Sequence, residues 1–527
     1  MIFTEFRFLP FFAVAFLVHW ALRKDSHRKL WLLACSYLFY AAWDWRFLSL
    51  ILGSTVLDWF AGQGIHASEN PKTRKRWLTL SICGNLGILG IFKYFGFFAA
   101  SAEAFLSFLG FNPGWTTLSI VLPVGISFYT FQTMSYSLDI HRKKIQPTKS
   151  FIDLAVFVGF FPQLVAGPIV RAAEFLPQLA TSRAWQAVDV RGALVLFFIG
   201  FFKKACISDN IAVVVDRYFS SPESYNVLSA WVGVTFASVQ VYCDFSGYSD
   251  MAIACAALLG YKLRENFNFP FFAGDITELW RRWHMSLSSW LRDYLYIPLG
   301  GSRNNSKNDS LSFPIGLAAF FTIACWIFVG KSSSMTFAVA FFLCSVFATV
   351  TYLIGTRGQR NTNRNLMLTM LLGGLWHGAA WNYVIWGGMH GLALIFHKEW
   401  KRWFPSNRSP GLIRKALGPL LTFWFWALAY LFFRAAGEGE NSIQATQHAL
   451  EGFLFFHSNG TQAIGPSFLI GLIPLLGILH FIAYKGWTQQ FWRKIPAWAF
   501  AAGLGLITAG MLPFVQPNRQ PFIYFQF

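Results

Sequence analysis

Charge is scarce in this chain, and acidic charge most of all. Only 13% of the 527 residues are charged, against roughly 25% in an average soluble domain, and 24 carboxylates face 43 lysines and arginines. An ordinary soluble domain is excluded on that ground. Cysteine offers no framework either: Cys35, Cys83, Cys206, Cys243, Cys255, Cys325 and Cys344 are scattered through apolar runs without a CxxC pair, which argues against disulfide scaffolding and zinc knuckles. They read as core residues, and no metal site is expected. Walker loop, GxSxG elbow, HExxH pair and Ser/His/Asp order are all missing, so soluble kinase, hydrolase and zincin chemistry lack support. Internal repeats, low-complexity tracts and a separate soluble domain are missing as well. The first apolar run, 8–22, has no small-residue cleavage pattern before Arg23, Lys24, Arg28 and Lys29. It is therefore expected to stay as a helix rather than leave as a signal peptide.

Apolar residues, by contrast, make up 55% of the chain, and the mean hydropathy is +0.44. About a dozen runs approach the roughly 20 residues that a spanning helix needs. The expectation is an all-α polytopic membrane protein, in which the bilayer supplies the burial that a soluble core otherwise provides. The net charge of +19 sits in short loops rather than on one soluble face, so topology explains it better than nucleic acid. Spans near 8–22, 30–43, 46–62, 77–100 and 118–138 place the basic loops 23–29, 71–76 and 142–149 on one side. The positive-inside rule makes that side cytoplasmic and puts the N-terminus outside.

The apolar segment 151–170 lies between two basic clusters and breaks at Phe161-Pro162-Gln163 and Gly167-Pro168, which fits a re-entrant hairpin. A span at 229–260 is expected to be interrupted by the polar run Tyr242 to Asp250, either as a helix end at the headgroups or as cavity lining, and a buried carboxylate there demands a partner. Residues 262–308 read as an interfacial layer. Within it, Asp275 and Glu278 match a capping box, after which Trp280, His284, Leu287 and Leu291 share one helical face. Residues 312–354 resemble a two-helix insert. Further spans are expected near 416–434, 467–484 and 496–516, before an aromatic tail, 517–527, that contains Tyr524.

Chemistry concentrates in Gly373 to Gly391, GGLWHGAAWNYVIWGGMHG. Ionisable groups at bilayer depth are expensive and usually face a bundle interior or a wet cavity. His377 and His390 therefore need a reason. The glycines permit close approach of neighbouring helices, and Trp376, Trp381 and Trp386 can wall the space so created. A neutral imidazole takes a proton from a hydroxyl at physiological pH, and a dry chamber keeps water from competing. His377 reads as a general base and His390 as a residue that packs or supports the site from behind. His284, beside Trp280 and Trp283, is also compatible with an interfacial histidine.

The run Trp280 to Tyr294, WRRWHMSLSSWLRDY, followed by GLWHGAAW and WGGMHG, resembles the membrane-bound O-acyltransferase family. PVGISFYTFQTMSY at 123–136 and FPQLVAGPIVR at 161–171 are similar to its bacterial alginate O-acetyltransferase branch. The resemblance covers about 122–394 and implies one integral membrane domain over 1–527, a multi-helix bundle with re-entrant segments around a central funnel. It implies acetyl transfer from cytoplasmic acetyl-CoA, used as substrate with no permanently bound cofactor. The product is an O-acetylated extracytoplasmic polysaccharide such as alginate, reached through an esterase-like transferase partner, and the location is the bacterial inner membrane. By the same resemblance His377 is the catalytic histidine and His284 fills the second motif position. Tyr524 resembles a tail tyrosine that accepts the acyl group. Arg281, Arg282, Trp283 and Arg292 are candidates for holding the donor. The competing readings are a polysaccharide or lipid transporter, for which no paired halves are visible, and an acyltransferase acting directly on a lipid or protein hydroxyl.

Overall fold

A computed structural model describes residues 2–111, 120–165, 167–302, 357–405, 411–437, 442–465, 468–486, 491–516 and 522–523. The two-helix insert expected at 312–354 lies outside the described residues, and of the tail 517–527 only Phe522 and Ile523 are described. The described chain is helical throughout, with one isolated bridge pairing Tyr225 and Gln462. It divides into two compact units, one of residues 1–206 and 243–266, the other of 207–242 and 267–527.

The first unit opens with α1 (Phe8–Ala21), α2 (Asp25–Asp44), α3 (Leu48–Ala67) and α4 (Pro71–Leu89). A π-helical stretch then leads into α5 (Phe95–Phe108), and α6 (Ile126–His141) is buried along almost its whole length. A buried helix gains by bonding its polar groups, and Thr133 and Ser137 of α6 join a network with α3 and α4. Asp58 of α3 accepts from Ser81 and, at 2.8 Å, from Ser137 Oγ. Its other oxygen accepts from Asn85 Nδ2 at 2.9 Å, and Asn85 Oδ1 accepts from Ser54 Oγ at 2.5 Å. Because every member of such a network is bonded, it can sit in a low-dielectric interior.

The break expected in 151–170 falls at Phe160, between α7 (Phe151–Gly159) and α8 (Phe161–Leu164). Pro162 sits in the first turn of α8, where its missing N–H costs nothing, and Phe161 N donates to Ser36 Oγ of α2 at 3.1 Å. The unit continues through α9 (Ala172–Ala180) and α10 (Val190–Phe201). A π-helical turn, Phe202–Ser208, follows, and α11 (Asp209–Ser220) belongs to the second unit.

The interruption expected at Tyr242 to Asp250 does not occur: α12 runs unbroken over Val227–Leu258. The polar run persists inside the helix because its carboxylates are paired. Asp244 meets Lys204 at 2.6 Å with both side chains 2% exposed, and Asp250 meets Lys203 at 2.7 Å. The partner that a buried carboxylate demands thus comes from the π-helical turn, about forty residues earlier in the chain.

In the second unit Asp275 caps α13 as expected, but Glu278 reaches back to Gly274 rather than to the Asp275 N–H that a capping box would use. Asp275 Oδ1 accepts from Glu278 N at 2.8 Å, and Glu278 Oε2 accepts from Gly274 N at 2.7 Å. The single helical face expected from Trp280 to Leu291 is instead two helices, α13 (Ile276–Arg282) and α14 (Met285–Leu291), broken at Trp283 and His284. After them come α15 (Arg357–His377), α16 (Trp381–Trp403), α17 (Leu412–Ala435), α18 (Ser442–Leu454), α19 (Phe468–Tyr484), α20 (Phe491–Lys494) and α21 (Ala497–Met511). Among the described residues, five stretches are long and apolar enough to cross a membrane: Asp25–Ala67, Pro71–Ser107, Val227–Leu258, Lys415–Ala435 and Ala497–Phe514. The protein is a multi-pass, all-α membrane protein.

Candidate active site

The helices α15 and α16 form an antiparallel hairpin whose backbones touch. A Cβ on Gly374 would lie 2.2 Å from the carbonyl oxygen of Tyr383, and one on Gly387 would lie 2.3 Å from that of Met370. Only glycine allows this approach, which is the small-residue packing used where helices cannot rely on a hydrophobic drive to associate. At the turn, Gly378 leaves room for the Tyr383 ring, which a Cβ would meet at 2.1 Å. His377 is the last residue of α15 and is 3% exposed.

Rings from three helices and from the break between α13 and α14 surround His377. Its imidazole centroid is 5.0 Å from Trp376, 5.0 Å from Trp386 of α16 and 5.4 Å from Phe433 of α17. On the remaining side, His284 lies 6.2 Å away, centroid to centroid. The start of α16 is tied to its neighbours by Asn382, whose Nδ2 donates to Phe432 O and to Thr446 Oγ1, both at 3.2 Å.

His284 reaches this position through an unusual backbone. It stands between α13 and α14 with φ 42° and ψ 53°, the left-handed region that non-glycine residues seldom occupy, and it is 0% exposed. Trp283 N closes α13 by donating to Leu279 O at 2.8 Å, and the His284 carbonyl starts α14 by accepting from Ser288 N at 2.9 Å. The surrounding hydrogen bonds hold a conformation that costs on the order of 1–3 kcal/mol, and such outliers cluster at functional sites.

Of the candidate donor-holding residues, Trp283 is buried against Trp426 at 4.2 Å. Arg282 pairs with Glu278 at 2.6 Å and lies over the Tyr484 ring at 5.8 Å. Arg292 is exposed and pairs with Asp293 at 2.7 Å, and Arg281 is exposed. Tyr524 lies outside the described residues, although Phe522 and Ile523 just before it are 0% and 4% exposed. His390, read as packing or support, is 0% exposed and stands 4.7 Å from Trp386.

Trp426 and Phe433 were not legible as site residues, since both sit in an apolar helix where aromatic residues are ordinary. The Trp-x-Trp run at 424–426 was the one signal available.

An imidazole walled by aromatic rings, with a second imidazole beside it, is suited to moving a proton where bulk water does not compete. Comparisons with known proteins give the chain's relatives. The sequence model of the membrane-bound O-acyltransferase family matches residues 142–326 and 351–437. A probable alginate O-acetylase of Pseudomonas putida is 38% identical over 76% of this chain and 71% of its own length. That of Pseudomonas aeruginosa is 36% identical over 94% and 83%. A peptidoglycan O-acetyltransferase of Helicobacter pylori is 34% identical over 82% and 75%.

Proposed function

Because the chain belongs to the membrane-bound O-acyltransferase family, we propose that this acyltransferase takes an acetyl group from cytoplasmic acetyl-CoA and delivers it for O-acetylation of an extracytoplasmic polysaccharide. The names of the relatives support a polymer acceptor, since they act on alginate or peptidoglycan. The observation that carries the reading is the buried pair His377 and His284, 6.2 Å apart inside an aromatic wall.

In this reading His377 removes the proton from an acceptor hydroxyl. The oxygen attacks the thioester carbonyl while His284 stands where it can steady that group. The carbon–sulfur bond breaks, and coenzyme A leaves as a thiolate that recovers the proton from His377. The acceptor is Tyr524. The burial of Phe522 and Ile523, the two residues before it, is compatible with that role. A phenol ester is more reactive than an alkyl ester because phenol has a pKa near 10, so the acetyl group passes readily to an esterase-like transferase outside the inner membrane. Lys and Arg side chains at the donor entrance, Arg281 among them, would meet the phosphates of coenzyme A.

Incubation of the purified protein with radiolabelled acetyl-CoA tests each part. Labelled Tyr524 in the wild type, and loss of at least about a hundredfold in transfer for His377→Ala with normal membrane insertion, is the expected result. Label that persists in Tyr524→Phe would remove the tyrosine relay and favour direct transfer to a lipid or protein hydroxyl. Label on neither the protein nor any acceptor would remove the enzymatic reading.

A further inference from the structure

His390 is one turn beyond Trp386 on the same face of α16, and packing alone does not account for it. Its ring is enclosed by Trp386 at 4.7 Å, Trp280 at 5.2 Å, Phe425 at 5.4 Å and Trp426 at 5.6 Å. The imidazole is 0% exposed, and neither of its nitrogens has a hydrogen-bond partner among the described residues. The same holds for the indole nitrogens of Trp280, Trp386 and Trp426, three of the four walls. Five polar nitrogens therefore share one aromatic cluster. Leaving a buried donor or acceptor unsatisfied costs about 1–3 kcal/mol, and native interiors rarely leave several together. Edge-on ring contacts recover only a fraction of that.

The chemistry of the cluster defines what it can take. A neutral imidazole offers one donor and one acceptor, and each indole offers a donor only. Donors thus outnumber acceptors by four to one, and no ion pair among the described residues involves His390. An anion placed there would be buried without a counter-charge, which is costly. A neutral group rich in acceptors is the complement, and a carbonyl is the simplest such group. The cluster also adjoins the transfer site, because Trp386 faces His377 at 5.0 Å as well as His390.

We infer that the His390 cluster is a second subsite, which binds a neutral carbonyl of the acyl donor, either the thioester itself or an amide of the arm that carries it. This rests on the acyl-donor reading above. His390 acts there as a positioning residue and takes no proton from the acceptor.

Binding of two unreactive coenzyme A derivatives to the full-length protein tests the inference. One is a ketone in which methylene replaces the thioester sulfur, so that the carbonyl is kept; the other is an S-alkyl thioether with no carbonyl at that place. The wild type is expected to bind the ketone about tenfold more tightly, the equivalent of one hydrogen bond. His390→Phe should abolish that preference while leaving thioether binding unchanged, and His390→Gln, which keeps a donor and an acceptor, should restore it. Equal weakening of both derivatives by His390→Phe with recovery in His390→Gln assigns the site to an arm amide. Unchanged binding of both in His390→Phe, or weakening that His390→Gln does not repair, overturns the subsite while the donor reading stands. A wild type that binds neither derivative overturns the donor reading, and the subsite with it. Membrane insertion and monodisperse elution of each variant separate these outcomes from misfolding.

Discussion

The imidazole of His284 stands 6.2 Å from that of His377 across a two-residue break in which Trp283 is extended and His284 turns left-handed. Both residues would have to adopt helical angles for α13 and α14 to merge. The pairing of the two histidines therefore depends on the break as a whole, in which only His284 occupies the left-handed region.

That dependence is testable by substitution at this position. Asn tolerates the left-handed region well, whereas a β-branched residue does not. His284→Asn should keep thermal stability close to wild type, and His284→Val should lose about 1–3 kcal/mol. Chemical denaturation in detergent reads the difference, and equal stability of the two variants would show that the conformation is not strained.

A methyl group at Gly374 or Gly387 has nowhere to go, since each would be driven into a backbone carbonyl of the opposing helix. Gly374→Ala and Gly387→Ala should each cost at least about 1–3 kcal/mol, the usual range for overpacking, and should reduce acetyl transfer because His377 moves with the hairpin. By contrast, Gly503→Ala in α21, where nothing lies within 4 Å of the added methyl, should leave both stability and transfer unchanged.

The pair Lys204 and Asp244 carries a different expectation. Removing one partner of a buried ion pair strands a charge and typically costs about 3–5 kcal/mol, whereas replacing both by apolar residues of similar size is often neutral. Asp244→Leu should therefore destabilise strongly, and Lys204→Met combined with Asp244→Leu should recover most of the loss. Unfolding measured across the double-mutant cycle checks this. An additive result would mean that the two residues are not coupled.

Asp275 provides a pH-dependent reading outside the spanning segments. Burial alone would raise its pKa, but the Glu278 N–H it caps, together with His397 and Lys401, holds it below the usual carboxylate value. A carboxyl lowered on folding contributes stability above its unfolded pKa of about 4 and loses it as pH falls through the folded value. Asp275→Ala should thus cost about 1 kcal/mol of capping at pH 7, and the gap to wild type should narrow as the solution is acidified below pH 4. A gap that does not change with pH would remove the charge from the account.

Much of this was legible along the chain, for identifiable reasons. Helical spans follow from local hydropathy, the break at Phe160 from a nearby proline, and the cap at Asp275 from a four-residue pattern, so all three were readable. The continuity of α12 was not, because the lysines that neutralise Asp244 and Asp250 lie in the π-helical turn Phe202–Ser208, and nothing local to the helix announces them. The break at His284 escaped for another reason: apolar periodicity is the same on either side of it, and a left-handed residue other than glycine leaves no mark in composition. His377 and His390 stood out because an ionisable group in an apolar stretch is rare. The rings of Trp426 and Phe433 did not, since their role depends on which helix packs opposite.

Backbone contact between α15 and α16 also limits how this hairpin can move. Interlocked glycines permit neither sliding nor rotation of one helix on the other without collision, so the hairpin behaves as a single rigid lever bearing His377 and His390 in fixed register. Any relative movement at His377 must then come from the segments that approach this lever, among them the break at His284 and the Phe433 face of α17.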